Sequence, residues 1–290
     1  MSPSKDLSHE LTTKGYEVEA QGSHNLARGF PHPHPIPQFG KSRSELLRKR
    51  EWMKQHMAGA FRIFGRKGFS EGSAGHISIK DPVDPATFWI NPLNRHFSLI
   101  KASDLVHIDK NGNVLSDGNQ AAINAAGFSI HAAIHKARPD IISAAHTHSI
   151  YGKAYSAFGK ELEMINQDVC IFYQRHLVFV NFGGVAIDER EGEEIATCLG
   201  PNGIGCILQN HGLLTVGSTV DEAAALFLLM ESACHAQLLA DAVQGKKKQI
   251  ISHDVAEYTC QMTGDAESLY AEFQPDYEYE MEVTNGAFLK

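Results

Sequence analysis

Two short apolar runs that both end in histidine constrain this chain more than any other feature. Residues 141–145, Ile-Ile-Ser-Ala-Ala, lead into His146-Thr147-His148-Ser149, and residues 205–209, Gly-Cys-Ile-Leu-Gln, lead through Asn210 into His211-Gly212. Runs this short and apolar read as buried strands, and in a strand residues i and i+2 face the same way. His146 and His148 therefore aim two imidazoles at one point. His211, at the exit of a second strand, can supply a third. Three neutral imidazoles around one ion, with a position left open, form the pattern of a catalytic divalent-metal site.

The 290 residues suit one large domain or two small ones. A formal net charge of -8 argues against general nucleic-acid binding. No apolar stretch reads as long enough to span a bilayer. The N-terminus, Met1-Ser2-Pro3-Ser4-Lys5-Asp6, lacks the apolar centre of a signal peptide. Cys170, Cys198, Cys206, Cys234 and Cys260 are scattered without a Cys-x-x-Cys pair. That fits free thiols in a reducing compartment, hence a cytoplasmic protein.

Residues 1–41 read as a flexible N-terminal arm. Its Phe30-Pro31-His32-Pro33-His34-Pro35-Ile36-Pro37 segment is stiff and extended, and its histidines can take up metal adventitiously. One α/β domain is expected over 42–245. Ser42 and Glu45 form a capping box, and Leu46, Met53, Met57, Phe61 and Phe64 follow at helical spacing. Short strands are expected at 76–80 and 88–90, and a hairpin over 105–115 through Lys110-Asn111-Gly112-Asn113. Helices are expected over 123–137, from Ser149 toward Phe158, and over 191–199, with a strand at 177–182. Thr219 and Glu222 form a second capping box, opening a helix with Ala223, Phe227, Met230, Cys234 and Leu238 along one side. Gly212 and Gly217 are expected at turns that need positive φ. Residues 246–290 are weakly patterned and read as an extension packing on the domain or on a neighbouring subunit. Lys246-Lys247-Lys248 reads as the solvated end of the long helix.

From about Leu47 to Ala242 the chain resembles the class II aldolase/adducin family, and within it fungal members. The likeness runs through Gly75-His76-Ile77-Ser78, Ala102-Ser103-Asp104-Leu105, Ile130-His131-Ala132-Ala133-Ile134 and Arg138-Pro139-Asp140. It continues through His146-Thr147-His148-Ser149, Gln209-Asn210-His211-Gly212-Leu213 and Thr219-Val220-Asp221-Glu222-Ala223. The resemblance implies a three-layer α/β/α sandwich with a mixed, largely antiparallel central sheet. It implies a homotetramer with active sites between subunits. It also implies a divalent ion, zinc or manganese, on His146, His148 and His211, which polarises a substrate carbonyl and stabilises the enediolate.

The chain departs from the family's sugar-phosphate enzymes at specific positions. Their acid/base carboxylate falls at Gly127, and two phosphate-binding serines fall at Ala125 and Ala126. Their Gly-Asn is Gly75-His76, and their Ser-Gly or Thr-Gly pair is Leu93-Asn94. The expectation is therefore a metal-dependent lyase for a small non-phosphorylated keto or hydroxy acid, working by decarboxylation or retro-aldol cleavage through a metal-stabilised enolate. Decarboxylation fits best, since the departing carbon dioxide generates the enolate without a base. His76, Glu71 and Tyr173 are the candidates for the missing acid/base, with Gln167 and Asp168 beside Tyr173. Glu71 otherwise reads as a surface-loop residue. His131 and His135, spaced i, i+4, are expected to be structural or pocket-lining. Asn210 is expected to support the ligands from behind. The alternatives are an adducin-like, non-catalytic binding or scaffold protein that keeps the metal site, and a metal-dependent epimerase. The three histidines together favour an enzyme.

Overall fold

A computed structural model describes residues 34–184 and 189–290. The first 33 residues of the expected arm lie outside the described residues. The first helix starts at the expected cap. Ser42 Oγ accepts the Glu45 amide at 3.3 Å, starting helix α1, Arg43–Arg66. The reciprocal half of the box is displaced: the Glu45 carboxylate accepts from Gly40 N at 3.4 Å.

Among the described residues seven strands follow in one sheet: β1 His76–Lys80, β2 Phe88–Ile90, β3 Val106–Ile108, β4 Ser143–Thr147, β5 His176–Phe179, β6 Gly205–Leu208 and β7 Gly212–Gly217. Their spatial order is β3-β2-β1-β4-β7-β6-β5. Only β5 and β6 pair in parallel; every other pair is antiparallel. The expected 105–115 hairpin shrinks to a single bridge between Ile108 and Val114.

Neighbouring strand residues go to opposite faces. Ala144, Cys206 and Leu214 pack with Ile130 and Ile134 of α2, Ala125–Ala137, and with Ile195 and Leu199 of α4, Glu189–Leu199. Ala145, Ile207 and Leu213 pack on the other side with Phe61 of α1 and Phe227 of α5, Val220–Asp241. Helix α3, Ile150–Ser156, follows β4. The period of two thus buries both faces and produces the three layers.

Helix α5 corrects one expectation and bears out another. At 22 residues and a hydropathy of 1.4 it is long and apolar enough to cross a membrane by length and composition. Ala223, Phe227, Met230 and Cys234 are buried along the expected side, and Ala224, Ala225 and Leu226 on neighbouring faces are buried as well. The reason is its place between the sheet, α1 and α7, Ala266–Thr284; an enclosed helix must be apolar nearly all round. The weakly patterned C-terminal residues form α6, His253–Thr263, and α7. They insert Ala256, Leu269, Phe273, Tyr277 and Phe288 into the same core. Lys248 is not simply solvated, since it ion-pairs with Glu163 and Asp241.

Gly212 and Gly217 are also corrected: neither has positive φ. They serve close approach instead. A Cβ on Gly212 would lie 2.7 Å from the Thr147 carbonyl oxygen, and one on Gly217 2.8 Å from Ala223 N. All five cysteines are free.

Candidate metal centre

Strand β4 ends at Thr147, and β6 turns into β7 through Gln209-Asn210-His211. Asn210 takes the left-handed conformation, φ 57°, that this turn needs. Its observed role is therefore the turn itself. The register Thr147↔Leu213 sets the β4 exit beside that turn. His146, His148 and His211 consequently converge, with their candidate ligand nitrogens all within 4.8 Å of one another. Their ring centroids are 4.7 to 5.2 Å apart.

The chemistry of this donor set fits a divalent first-row ion. The Leu213 carbonyl accepts a hydrogen bond of 2.8 Å from His146 Nδ1, which fixes the tautomer and leaves Nε2 bare to ligate. Burial pushes His146 well below the usual imidazole range, His211 down to about 4, and His148 downward. Around His148 the Glu71 carboxylate opposes that shift. Neutral rings at pH 7 are what coordination requires, and an all-imidazole set without thiolate suits zinc or iron-type ions.

Two groups that sequence reasoning missed hold this arrangement. Glu231, from the middle of α5, accepts from Ser149 Oγ at 2.5 Å, Gly152 N at 2.7 Å and Tyr151 N at 2.9 Å. It thereby anchors the start of α3, one residue beyond His148. A buried glutamate inside an apolar helix was the available signal. The second is Ser78, two residues after His76 on the same strand face.

His76 lies directly opposite His146 in the β1–β4 register, with ring centroids 4.9 Å apart. It contacts His131 of α2, and Ser78 contacts both His131 and His135, so these two α2 histidines form part of a buried polar cluster. A Cβ on Gly127 would meet His76 Cδ2 at 2.3 Å. The His76 ring therefore occupies the space of a side chain at position 127.

Glu71 is nearby but exposed, with both carboxylate oxygens 2.8 Å from Lys153 Nζ on α3. Tyr173 is not brought to the histidines within the chain, which corrects its candidacy there. It follows the short helical turn Asp168–Phe172 and precedes β5, whose far end is the one near the cluster. Its hydroxyl pairs with His253 of α6. It lines a cavity of about 600 Å3 with Arg138, Arg175 and Cys260 at the opposite end of the sheet. Gln167 and Asp168 belong to the same remote turn.

At the positions where the resemblance places phosphate-binding groups, Asn94 has a left-handed φ of 60°. Asn124 Oδ1 accepts the Gly127 amide at 3.0 Å, capping α2 with the chain's own side chain. That occupies an amide of the helix N-terminus which would otherwise be available to an anion.

A histidine cluster at the strand exits of a largely antiparallel three-layer sandwich defines a class II aldolase-type protein. The profile described as Class II Aldolase and Adducin N-terminal domain matches residues 55–238, and the chain belongs to this family. It is 44% identical over 254 residues to Meiotically up-regulated gene 14 protein of Schizosaccharomyces pombe, covering 87% of this chain and 96% of that protein. It is 42% identical to Decarboxylase NovR of Streptomyces niveus, covering 79% and 84% respectively. A third relative, 39% identical with 86% of each chain covered, is 4-hydroxy-3-prenylphenylpyruvate oxygenase/4-hydroxy-3-prenylbenzoate synthase of Streptomyces roseochromogenus. Among solved structures, L-fuculose 1-phosphate aldolase from Glaciozyma antarctica superposes with a TM-score of 0.80 at 35% identity, covering 88% of this chain and 97% of the other. Class II aldolases are typically dependent on a divalent metal, and relatives named as decarboxylase and aldolase support a lyase-type enzyme.

Proposed function

We propose that this protein is a divalent-metal-dependent carbon–carbon lyase acting on a small non-phosphorylated keto or hydroxy acid, by decarboxylation or retro-aldol cleavage. The observation that carries this reading is the combination of three converging imidazoles with the absence of a carboxylate at Gly127, whose space His76 fills. His146, His148 and His211 would hold a divalent ion, zinc first and manganese second, and such an ion would supply Lewis-acid stabilisation of negative charge on a substrate carbonyl. The chain's own groups set the rest. The Leu213 carbonyl orients His146, Glu231 anchors the His148 exit, and Asn124 withholds a helix-terminal amide from phosphate. The surroundings are partly apolar: Phe182 lies 6.3 Å from the His211 ring, and Ile150, just after Ser149, is exposed. This favours an uncharged substrate tail. In decarboxylation of a 3-keto acid the bond to the carboxyl carbon breaks, carbon dioxide leaves, the electron pair passes into the neighbouring carbonyl as an enolate, and that enolate takes up one proton.

The Streptomyces decarboxylase supports this reaction class. The Streptomyces oxygenase supports a second reading, oxygen-dependent cleavage of a keto acid at the same histidines. The Glaciozyma enzyme's name represents the competing substrate class. A cytoplasmic homotetramer with sites at subunit boundaries completes the proposal.

Metal-loaded protein assayed on a keto-acid panel, with oxaloacetate as the 3-keto acid and 4-hydroxyphenylpyruvate as the 2-keto acid, and on L-fuculose 1-phosphate, with and without oxygen, tests it. Chelator-sensitive carbon dioxide release without oxygen supports the lyase, and release only in air supports the oxygenase. Efficient sugar-phosphate cleavage overturns the substrate assignment. Full metal loading without turnover of either panel favours the non-catalytic, adducin-like alternative.

A further inference from the structure

Four buried side chains form an unbroken hydrogen-bonded line beside the histidine cluster. His76 Nδ1 lies 2.8 Å from His131 Nε2. His131 Nδ1 lies 2.6 Å from Ser78 Oγ, which lies 2.8 Å from His135 Nε2. His135 Nδ1 ends the line 3.4 Å from the Ile141 carbonyl oxygen. Burial without a carboxylate partner keeps these rings neutral: His135 is pushed down to about 3, and His131 and His76 fall well below the usual range.

The far end of the line dictates where every hydrogen sits. A carbonyl oxygen only accepts, so His135 Nδ1 carries a hydrogen and the neutral ring leaves Nε2 bare. That bare nitrogen takes the Ser78 hydroxyl hydrogen. Ser78 Oγ is then left to accept from His131 Nδ1, so His131 Nε2 is bare in turn. It accepts from His76 Nδ1, and His76 Nε2 is left without a hydrogen. Reversing the line would set a lone pair of His135 against the carbonyl oxygen, an unsatisfied contact in a buried place.

That last nitrogen is well placed. It lies 2.4 Å from where a Cβ on Gly127 would be, on a ring directly across the β1–β4 pair from His146. Among the described residues it makes no hydrogen bond. We propose that His131, Ser78 and His135 are positioning residues that hold His76 Nε2 as a bare hydrogen-bond acceptor beside the metal centre, and that His76 thereby selects substrates presenting a hydroxyl group there. A bare nitrogen accepts an O–H but repels a phosphate or carboxylate oxygen, which has no hydrogen to give. The direction of the line stands on hydrogen-bond geometry and on the buried, neutral His135 at its end; the hydroxyl contact rests on the proposed metal site.

The test has two arms. In the first, nitrogen NMR of the metal-free full chain, labelled at histidine, reads the tautomer of His76, assigned by the signal lost in His76→Gln. The expected state has Nδ1 protonated and Nε2 bare. Ser78→Ala should turn it into a mixture, and Ser78→Thr, which keeps the hydroxyl, should restore it. A wild-type His76 protonated at Nε2, or one indifferent to Ser78→Ala, overturns the line. In the second arm, zinc-loaded protein is titrated with glycolate and with methoxyacetate, which lacks the hydroxyl hydrogen. Glycolate should bind roughly five- to tenfold better relative to methoxyacetate in wild type than in Ser78→Ala. An equal ratio in both overturns the hydroxyl contact. Failure to bind zinc, with the tautomer as expected, removes the metal centre and the hydroxyl contact but upholds the direction of the line.

Discussion

The imidazole of His76 and the missing side chain of Gly127 occupy the same space: a Cβ on Gly127 would lie 2.3 Å from His76 Cδ2 and 2.4 Å from Nε2. The two positions behave as one unit. A ring can stand beside His146 because the first turn of α2 carries no side chain there, and that turn can tolerate glycine because Asn124 caps it. Their coupling gives the most direct test of the site's construction.

Gly127→Ala should destabilise the protein by roughly 1–3 kcal/mol through overpacking against His76, although alanine is intrinsically better than glycine in a helix. In a His76→Ala background the same change should be near neutral or stabilising. Urea unfolding of the four proteins in the cycle measures this. Additive effects would mean that the ring moves aside without cost.

Glu231 binds the start of α3 through three donors, so Glu231→Gln should lose roughly 1–3 kcal/mol. Because Ser149 adjoins His148, metal affinity should fall by about 10–100-fold as well. Competition with a chromogenic zinc chelator reads the second effect. A stability loss with unchanged zinc affinity would confine Glu231 to a structural role.

The metal-free protein should lose stability on acidification within a defined window. Burial lowers His211 to about 4 and His135 to about 3, against an unfolded value near 6.5. The unfolded chain therefore binds more protons as pH falls. The stabilisation is complete above about 6.5 and is lost progressively toward those folded values. Urea midpoints measured from pH 7.5 down to pH 4.5 should decline once pH drops below about 6.5. A midpoint that rises through that interval would contradict the burial of these rings as neutral groups.

Zinc at 100 times its dissociation constant should stabilise the fold by about 2.7 kcal/mol if it binds only the native chain. Calorimetry should show a raised Tm in wild type and none in a His146→Ala, His148→Ala double variant freed of its His-Pro arm. An equal rise in both would place the bound zinc elsewhere.

Light scattering at micromolar concentration should report a closed tetramer, in keeping with point-group assembly. A monomer alone would remove the proposal that sites lie between subunits.

Local sequence was enough to fix the parts whose physics is local. Side-chain alternation predicted that His146 and His148 converge, and they do, although β4 itself ends at Thr147. The capping residues Ser42 and Thr219 marked where α1 and α5 begin. Tertiary structure alone decided which strands are neighbours. The pairing of His76 with His146, the reach of Glu231 to Ser149 and the position of Tyr173 at the far end of the sheet follow from register and layer packing. A strand's period specifies its faces but not its partner, since pairing and register are chosen by how distant apolar surfaces fit together. The same applies to α5 and the C-terminal helices, whose patterns became readable only once both of their packing partners were in place.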